Sequence, residues 1–372
     1  MKHSLACCVC ILALFGCKQG EAWKPGLPLP KEQVKAGVLY LTDPFHENVG
    51  WSYSHKAGIG EMKNRLGLED EQILHESNVD EMDPGAVENA IRKLIANGAN
   101  IIIATSFGYM DVCEKLAEEF PNHIFANANG NKYNKVNFTN YFGRFYQARY
   151  LAGILAGMKT QSGKIGFVAA MGKDSSEVTC GVNAFALGVE KANPRAKVYV
   201  RVTHSWFDPM GETGAARALI AAGCDIITQH CDTPWPQIEA ERAGVWSIGD
   251  NSDMAAEAPR AVLSSMVWNW GIYYTALVQS VMDGSFETTP WYGSLGDGIV
   301  DLLPLSDNFV WDEKIPRALL EERQRIASGA NDVFDGILIT NEGAGIGKAN
   351  GSLSDEEIRN GMDWYYRNIV EF

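Results

Sequence analysis

The sequence predicts an α/β protein made of two doubly wound parallel-sheet lobes joined by a multi-stranded hinge, and three observations carry that reading. At 372 residues the chain is too long for one ordinary domain and suits two, each able to bury a core. Apolar strand-like runs alternate with helical patterns in two successive series, which argues for two such lobes facing each other across a cleft. The strand ends also repeat one composition, aromatic rings beside hydroxyl, amide and carboxylate groups: Asn48 to Trp51, Thr105 to Asp111, Ser205 to Asp208, Asp250-Asn251 and Trp268 to Trp270. Ligands of open parallel sheets bind beyond the carboxyl ends of the strands. The expectation is therefore a cleft in which aromatic faces sandwich a flat, polar-edged molecule.

The chain opens with Met1-Lys2-His3 and an apolar stretch from Leu5 to Gly16, of signal-peptide length and too short to span a bilayer. Residues 1–16 read as an export signal. Leu14-Phe15-Gly16-Cys17 resembles the lipobox of bacterial lipoproteins, with Cys17 as the lipidated residue, although Phe15 stands where a small residue is usual. Residues 17–33, with Pro25, Pro28, Pro30, Gly20 and Gly26, then form the lipidated cysteine and a tether. This places the globular part outside the cytoplasm, held to a membrane by lipid. Cys7, Cys8 and Cys10 fall inside the signal, so their spacing carries no metal or redox meaning. Export permits a disulfide among Cys113, Cys180, Cys224 and Cys231, but buried free thiols are expected.

In the first series, strands are expected at Val34 to Leu41, Ile73 to Val79, Asn100 to Thr105, His123 to Ala128 and Val136 to Phe142. Helices are expected at Trp51 to Leu66, Pro84 to Asn97 and Tyr109 to Glu119. Gly98 sits where a helix ends, and Pro121 where one cannot continue. Arg144 to Lys159, rich in Ala and Gly, reads as a helix that packs closely on a neighbour. The second series has strands at Lys164 to Ala170, Lys197 to Thr203, Asp225 to His230, Val245 to Gly249 and Ala261 to Val267, with helices near Ser176 to Asn193, Gly211 to Ala222 and Pro234 to Gly244.

After Trp268 the pattern loosens into a helix from Gly271 to Asp283, strands near Trp291 to Ser294 and Ile299 to Leu303, a helix about Glu313 to Ser328 and a strand from Gly336 to Thr340. Ser354 and Glu357 make a capping box for a last amphipathic helix. These pieces are read as passing between the lobes. Lobe 1 is assigned 34–143 plus about 268–290, lobe 2 is assigned 144–267 plus about 291–350, and 351–372 is taken as the C-terminal helix.

The candidate ligand contacts are Trp51, Phe107, Tyr109, Trp206, Phe207 and Trp268 for stacking, and Ser106, Asn183, Asp208, Gln229, Asp232 and Asn251 for ring edges. A base stacked on an aromatic face gains about 1–3 kcal/mol, so two rings supply a good part of the ~8 kcal/mol that micromolar affinity needs. Asp208 precedes Pro209 and Asp232 lies close to Pro234, so turn formation or helix capping accounts for both equally well.

A formal charge of −14 argues against a nucleic-acid groove. The histidines show no metal spacing, no nucleophile elbow or dinucleotide fingerprint occurs, and Gly343 to Lys348 fails the phosphate-loop spacing and reads as a surface turn. No catalytic residue, cofactor or metal is expected: the chain reads as a binder.

Gly50 to His55, Thr105 to Asp111, Asn183 to Gly188, Trp206 to Pro209, Gln229 to Asp232 and Ile248 to Asp253 together resemble the basic membrane protein family of substrate-binding lipoproteins that serve ABC importers, which includes purine nucleoside receptors. The resemblance runs from about residue 34 to the last helix. It implies a type I periplasmic-binding fold that closes over a purine or nucleoside and hands it to a permease. Nucleoside receptors of that family look to hold the ribose with an Asp ahead of the first helix and a Lys after a late strand. Here those places read Asn48-Val49-Gly50-Trp51 and, after Val267, Trp268. Two indoles in place of two sugar partners favour a bare purine, adenine first. A purine nucleoside receptor, a base- or nucleoside-salvage enzyme and a surface receptor on a similar fold are the alternatives.

Overall fold

The computed structural model describes residues 23–372; the export signal and Cys17 lie outside the described residues. Lobe 1 is built from strands β1 (Ala36–Leu39), β2 (Ile73–Glu76), β3 (Ile101–Ala104), β4 (Ile124–Ala128) and β5 (Phe138–Gly143), with helices α1 (Trp51–Leu66), α2 (Pro84–Ala96) and α3 (Met110–Glu119). Every pairing among these strands is parallel. β1 and β3 are buried along their whole length, as sheets covered on both faces require. Asp83 caps α2 with its side chain, and the next residue is Pro84, suited to the first helical position.

The chain then crosses into lobe 2 with α4 (Phe145–Lys159), β6 (Lys164–Ala169), α5 (Ser176–Ala192), β7 (Lys197–Val202), α6 (Pro209–Ala221), β8 (Ile226–His230), α7 (Trp235–Ala243), β9 (Trp246–Gly249) and β10 (Val262–Trp268). It returns to lobe 1 as α8 (Gly271–Asp283), which packs on α1, and as β11 (Trp291–Gly293), which joins the sheet beside β5. A third crossing leads to β12 (Val300–Leu302), antiparallel to β10. The sheet orders are β11-β5-β4-β3-β1-β2 in lobe 1 and β12-β10-β9-β8-β6-β7 in lobe 2, where one more strand from the C-terminal end of the chain adds beside β7. Each reverses direction next to its first strand, the place where such sheets open a crevice.

Helix α9 (Lys314–Ala327) lies against α4. Three expectations for the C-terminal part of the chain need correction. Trp291–Gly293 pairs with lobe 1, so that lobe extends past residue 290. Gly343 to Lys348 is not only a turn: β13 (Asp335–Ile339) and β14 (Gly345–Ser352) form an antiparallel hairpin. The C-terminal helix is short. Ser354 and Glu357 do form the capping box, but α10 (Asp355–Asn360) stops at Gly361, and the chain ends as β15 (Ile369–Glu371), a parallel edge strand on β7.

One apolar cluster runs from lobe 1 through the hinge into lobe 2, including Ile101, Tyr141, Trp268, Trp270, Phe167 and Phe185. A second lies under α2 and α3. Cys113, Cys180, Cys224 and Cys231 are all free and buried.

Candidate functional site

A cavity of about 510 Å³ lies between the lobes, a volume within the usual range for small-molecule sites. Its walls are strand ends: Leu41 after β1, Ser106 and Phe107 after β3, Asn129 to Asn131 after β4, Met171 after β6, His230 and Asp232 at the end of β8, and Asn251 after β9. The hinge contributes Phe142, Phe145, Trp268 and Tyr292.

Of the residues singled out in the sequence, Trp51, Ser106, Phe107, Trp206, Asp232, Asn251 and Trp268 meet in this cavity. Phe207 instead lines a small recess beside it with Glu47 and Asp232. The other four are elsewhere, each for a visible reason. Tyr109 is fully buried in lobe 1, its hydroxyl donating to the Val79 carbonyl at 2.7 Å. Asp208 caps α6, accepting from the Met210 and Gly211 amides. Gln229 donates to the Cys231 and Thr233 carbonyls and shapes the loop after β8. Asn183 faces the C-terminal segment, donating to the Trp364 carbonyl and accepting from the Tyr366 amide, both at 2.8 Å.

The aromatic residues divide by whether their faces are taken. Trp268 lies parallel to Phe145 at 4.4 Å and to Trp270 at 4.3 Å, so its stacking is spent on the protein. Trp51 meets His55, Trp268 and Trp270 edge to face, at interplanar angles of 81–89°. Its indole N–H donates to the Thr105 carbonyl at 2.8 Å, which fixes the ring. Among the described residues no ring stacks parallel on Trp51. Phe107 is 54% exposed at the cavity's rim, and Trp206, half-buried in lobe 2, meets only the edge-on His230 ring. Lobe 1 thus presents Trp51 and Phe107, and lobe 2 presents Trp206, to the cavity, with no parallel ring stacked on any of them among the described residues.

Polar groups form a chain along one wall. The Trp268 indole N–H donates to the Asn251 side-chain oxygen at 3.1 Å, and the Asn251 amide donates to Asp232 at 2.9 Å. Asn251 and Asn129 both hold left-handed backbone, φ 63° and 53°, which asparagine tolerates better than most residues. Burial, then the neighbouring Glu212 and Asp250, pushes the Asp232 carboxyl well above its ordinary range, so it can keep a proton and act as donor as well as acceptor.

Sequence reasoning missed Arg149, Asn129, Glu177 and His230 as cavity residues. Arg149 is buried, paired with Asp250 at 3.0 Å and donating to the Gln229 carbonyl at 2.8 Å. Burial raises Asp250 to about 6, an effect that Arg149 opposes. Burial and Arg149 hold the His230 imidazole well below its usual value, so it is neutral. A single arginine among the small residues of α4 was the available signal, since an unneutralised guanidinium is not buried there without a partner.

The lobes also touch directly. The Gly50 amide donates to the Ser252 hydroxyl at 2.9 Å, and a Cβ at Gly50 would stand 2.6 Å from the Asp232 carbonyl oxygen. With φ at 97°, the position suits glycine alone on both counts. Among the described residues no group of His, Cys, Asp or Glu could hold a metal ion, and no helix is long and apolar enough to cross a membrane.

A family model described as ABC transporter substrate-binding protein PnrA-like matches residues 35–329. A purine-binding protein of Brucella abortus is 32% identical over 91% of this chain and 93% of its own length. A putative ABC transporter glucose-binding protein of Haloferax volcanii is 32% identical over 87% of this chain and 79% of its own. Among solved structures, an ABC transporter solute-binding protein of Conexibacter woesei superposes with a TM-score of 0.64 at 21% identity, covering 80% of this chain and 97% of that one.

Proposed function

Because the chain belongs to the Bmp family of PnrA-like ABC transporter substrate-binding proteins, we propose that it binds a free purine base, adenine first, between its lobes and delivers it to a permease. One observation carries the choice of base over nucleoside. Trp51 and Trp268, at the two places where nucleoside receptors look to keep their sugar partners, touch edge to face with centroids 6.0 Å apart. The indole rings themselves offer a ribose no carboxylate or ammonium, only apolar faces and edges. The purine-binding name of the Brucella relative agrees with the reading.

In this reading the base lies on Trp51, with Phe107 or Trp206 over the other face and Asp232 and Asn251 at its edge. A carboxyl facing a ring N–H or amino group rejects analogues lacking that donor, because it would be left unpaired. The globular part works outside the cytoplasm, tethered through lipid on Cys17. Native mass spectrometry of protein purified from cells tests the assignment. A retained mass matching adenine, hypoxanthine or guanine is the expected result. A nucleoside mass would mean that the indole corner does not exclude the sugar, and a hexose would transfer the Haloferax relative's name to this chain instead.

A further inference from the structure

The last twenty residues are fastened to lobe 2: β15 pairs with β7, Asn183 holds both the Trp364 carbonyl and the Tyr366 amide, and the Met362 amide donates to the Ser176 hydroxyl at 3.2 Å. Yet α10 reaches the other lobe. Arg359 donates to the Gly130 carbonyl at 2.9 Å, and its guanidinium lies 4.9 Å from the ring centre of Tyr292, on β11 of lobe 1. Beside it, Asn129 donates to Glu177 of α5 at 2.7 Å. The loop that follows β4 therefore takes two bonds from lobe 2, one from a guanidinium and one to a carboxyl group. The family match stops at residue 329, so the segment bearing Arg359 lies beyond it.

We propose that Arg359 and Glu177 form a clasp on residues 129–131 that holds the lobes shut and sets how long a ligand stays. Both bonds join parts that separate when the lobes open, and the one from Arg359 is charge-assisted, the stronger kind of hydrogen bond. A contact made only after closure slows release and leaves encounter unchanged. Arg359 lines the cavity, but its bond goes to protein, which makes it a positioning residue. The inference rests on the closing, two-lobed receptor proposed above.

Rates measured with radiolabelled adenine on the full mature chain test it. Arg359→Ala is expected to speed dissociation about tenfold, the scale of one hydrogen bond to a charged group, with association within about twofold. Arg359→Lys, which can still donate to Gly130, falls between. Asn129→Gly, which suits the left-handed backbone, repeats the effect from the other side and guards against a folding defect at Arg359. Unchanged dissociation, or slower association alone, overturns the clasp. A wild-type protein that does not retain adenine counts against the purine reading only. The clasp is then judged by small-angle scattering without ligand: Arg359→Ala must give a more open particle, and superimposable curves overturn it.

Discussion

At the scale of single residues, Trp51 and Trp268 are two cavity indoles with opposite commitments, and their substitution separates binding from stability. Trp51 is anchored by one hydrogen bond and, among the described residues, carries no ring stacked parallel on it. Trp51→Ala should cost at least tenfold in affinity by calorimetry, the lower part of the roughly 1–3 kcal/mol that a stacked base gains, with little change in thermal midpoint. Trp268 is 7% exposed and parallel to two protein rings, so Trp268→Ala should leave a hole in the hinge and cost about 3–5 kcal/mol of stability. Equal loss of stability in both variants would dissolve the distinction. Trp51 was legible because it follows a glycine at the turn into the first helix, in the company of aromatic residues after other strands. Tyr109 and Asn183 were not excluded by sequence, because a buried hydroxyl or amide looks the same whether it meets a ligand or a backbone group. Arg149 was passed over because its partner Asp250 is a hundred residues away.

At the scale of elements, helices α4 and α5 show how small residues set a distance. A Cβ at Gly153 would stand 2.1 Å from the Phe185 carbonyl oxygen, and one at Gly188 the same distance from that of Tyr150. No side-chain adjustment relieves a clash with backbone. Gly188→Ala should therefore push the helices apart and destabilise lobe 2 by about 1–3 kcal/mol, read as a lower denaturant midpoint. An unchanged midpoint would show that the helices can separate freely. The Ala- and Gly-rich face of α4 was visible in the sequence, as were the βα alternations, since periodicity and caps are local. β13 was read too, as Gly336 to Thr340, but its hairpin partner β14 and the terminal β15 were not. The hairpin strand Gly345–Ser352 is glycine-rich and mostly exposed, with no apolar alternation. The terminal strand is only three residues and is specified by β7, far away in the chain.

At the scale of the whole molecule, a group of acids buried in lobe 2 and at the cavity wall is held above its ordinary range, and this shapes stability against pH. Burial raises Glu212 from 4.5 to about 7 and Asp250 from 3.8 to about 6, and raises Glu177 and Asp232 as well. A raised folded value means that the unfolded chain gives up its proton first. The stability that Glu212 and Asp250 contribute is complete below about pH 4 and is lost as pH rises through 6 to 7, and that of Glu177 and Asp232 is lost in the same direction. Surface carboxylates such as Glu88, Glu119 and Glu357, lowered by their hydrogen bonds, act in the opposite sense and lose their contribution as pH falls below about 4.5. Exposed pairs contribute little, so the buried acids dominate above pH 5. Thermal midpoints of the ligand-free protein should therefore peak near pH 5 and fall towards pH 8. Glu212 is fully buried and accepts from the Thr233 hydroxyl at 2.5 Å. Glu212→Gln keeps a neutral group of the same shape there, so it should match wild type near pH 4.5 and exceed it at pH 8, by on the order of 3 kcal/mol at most. A variant that is weaker than wild type at pH 8 would mean that the Glu212 carboxylate is stabilised in place.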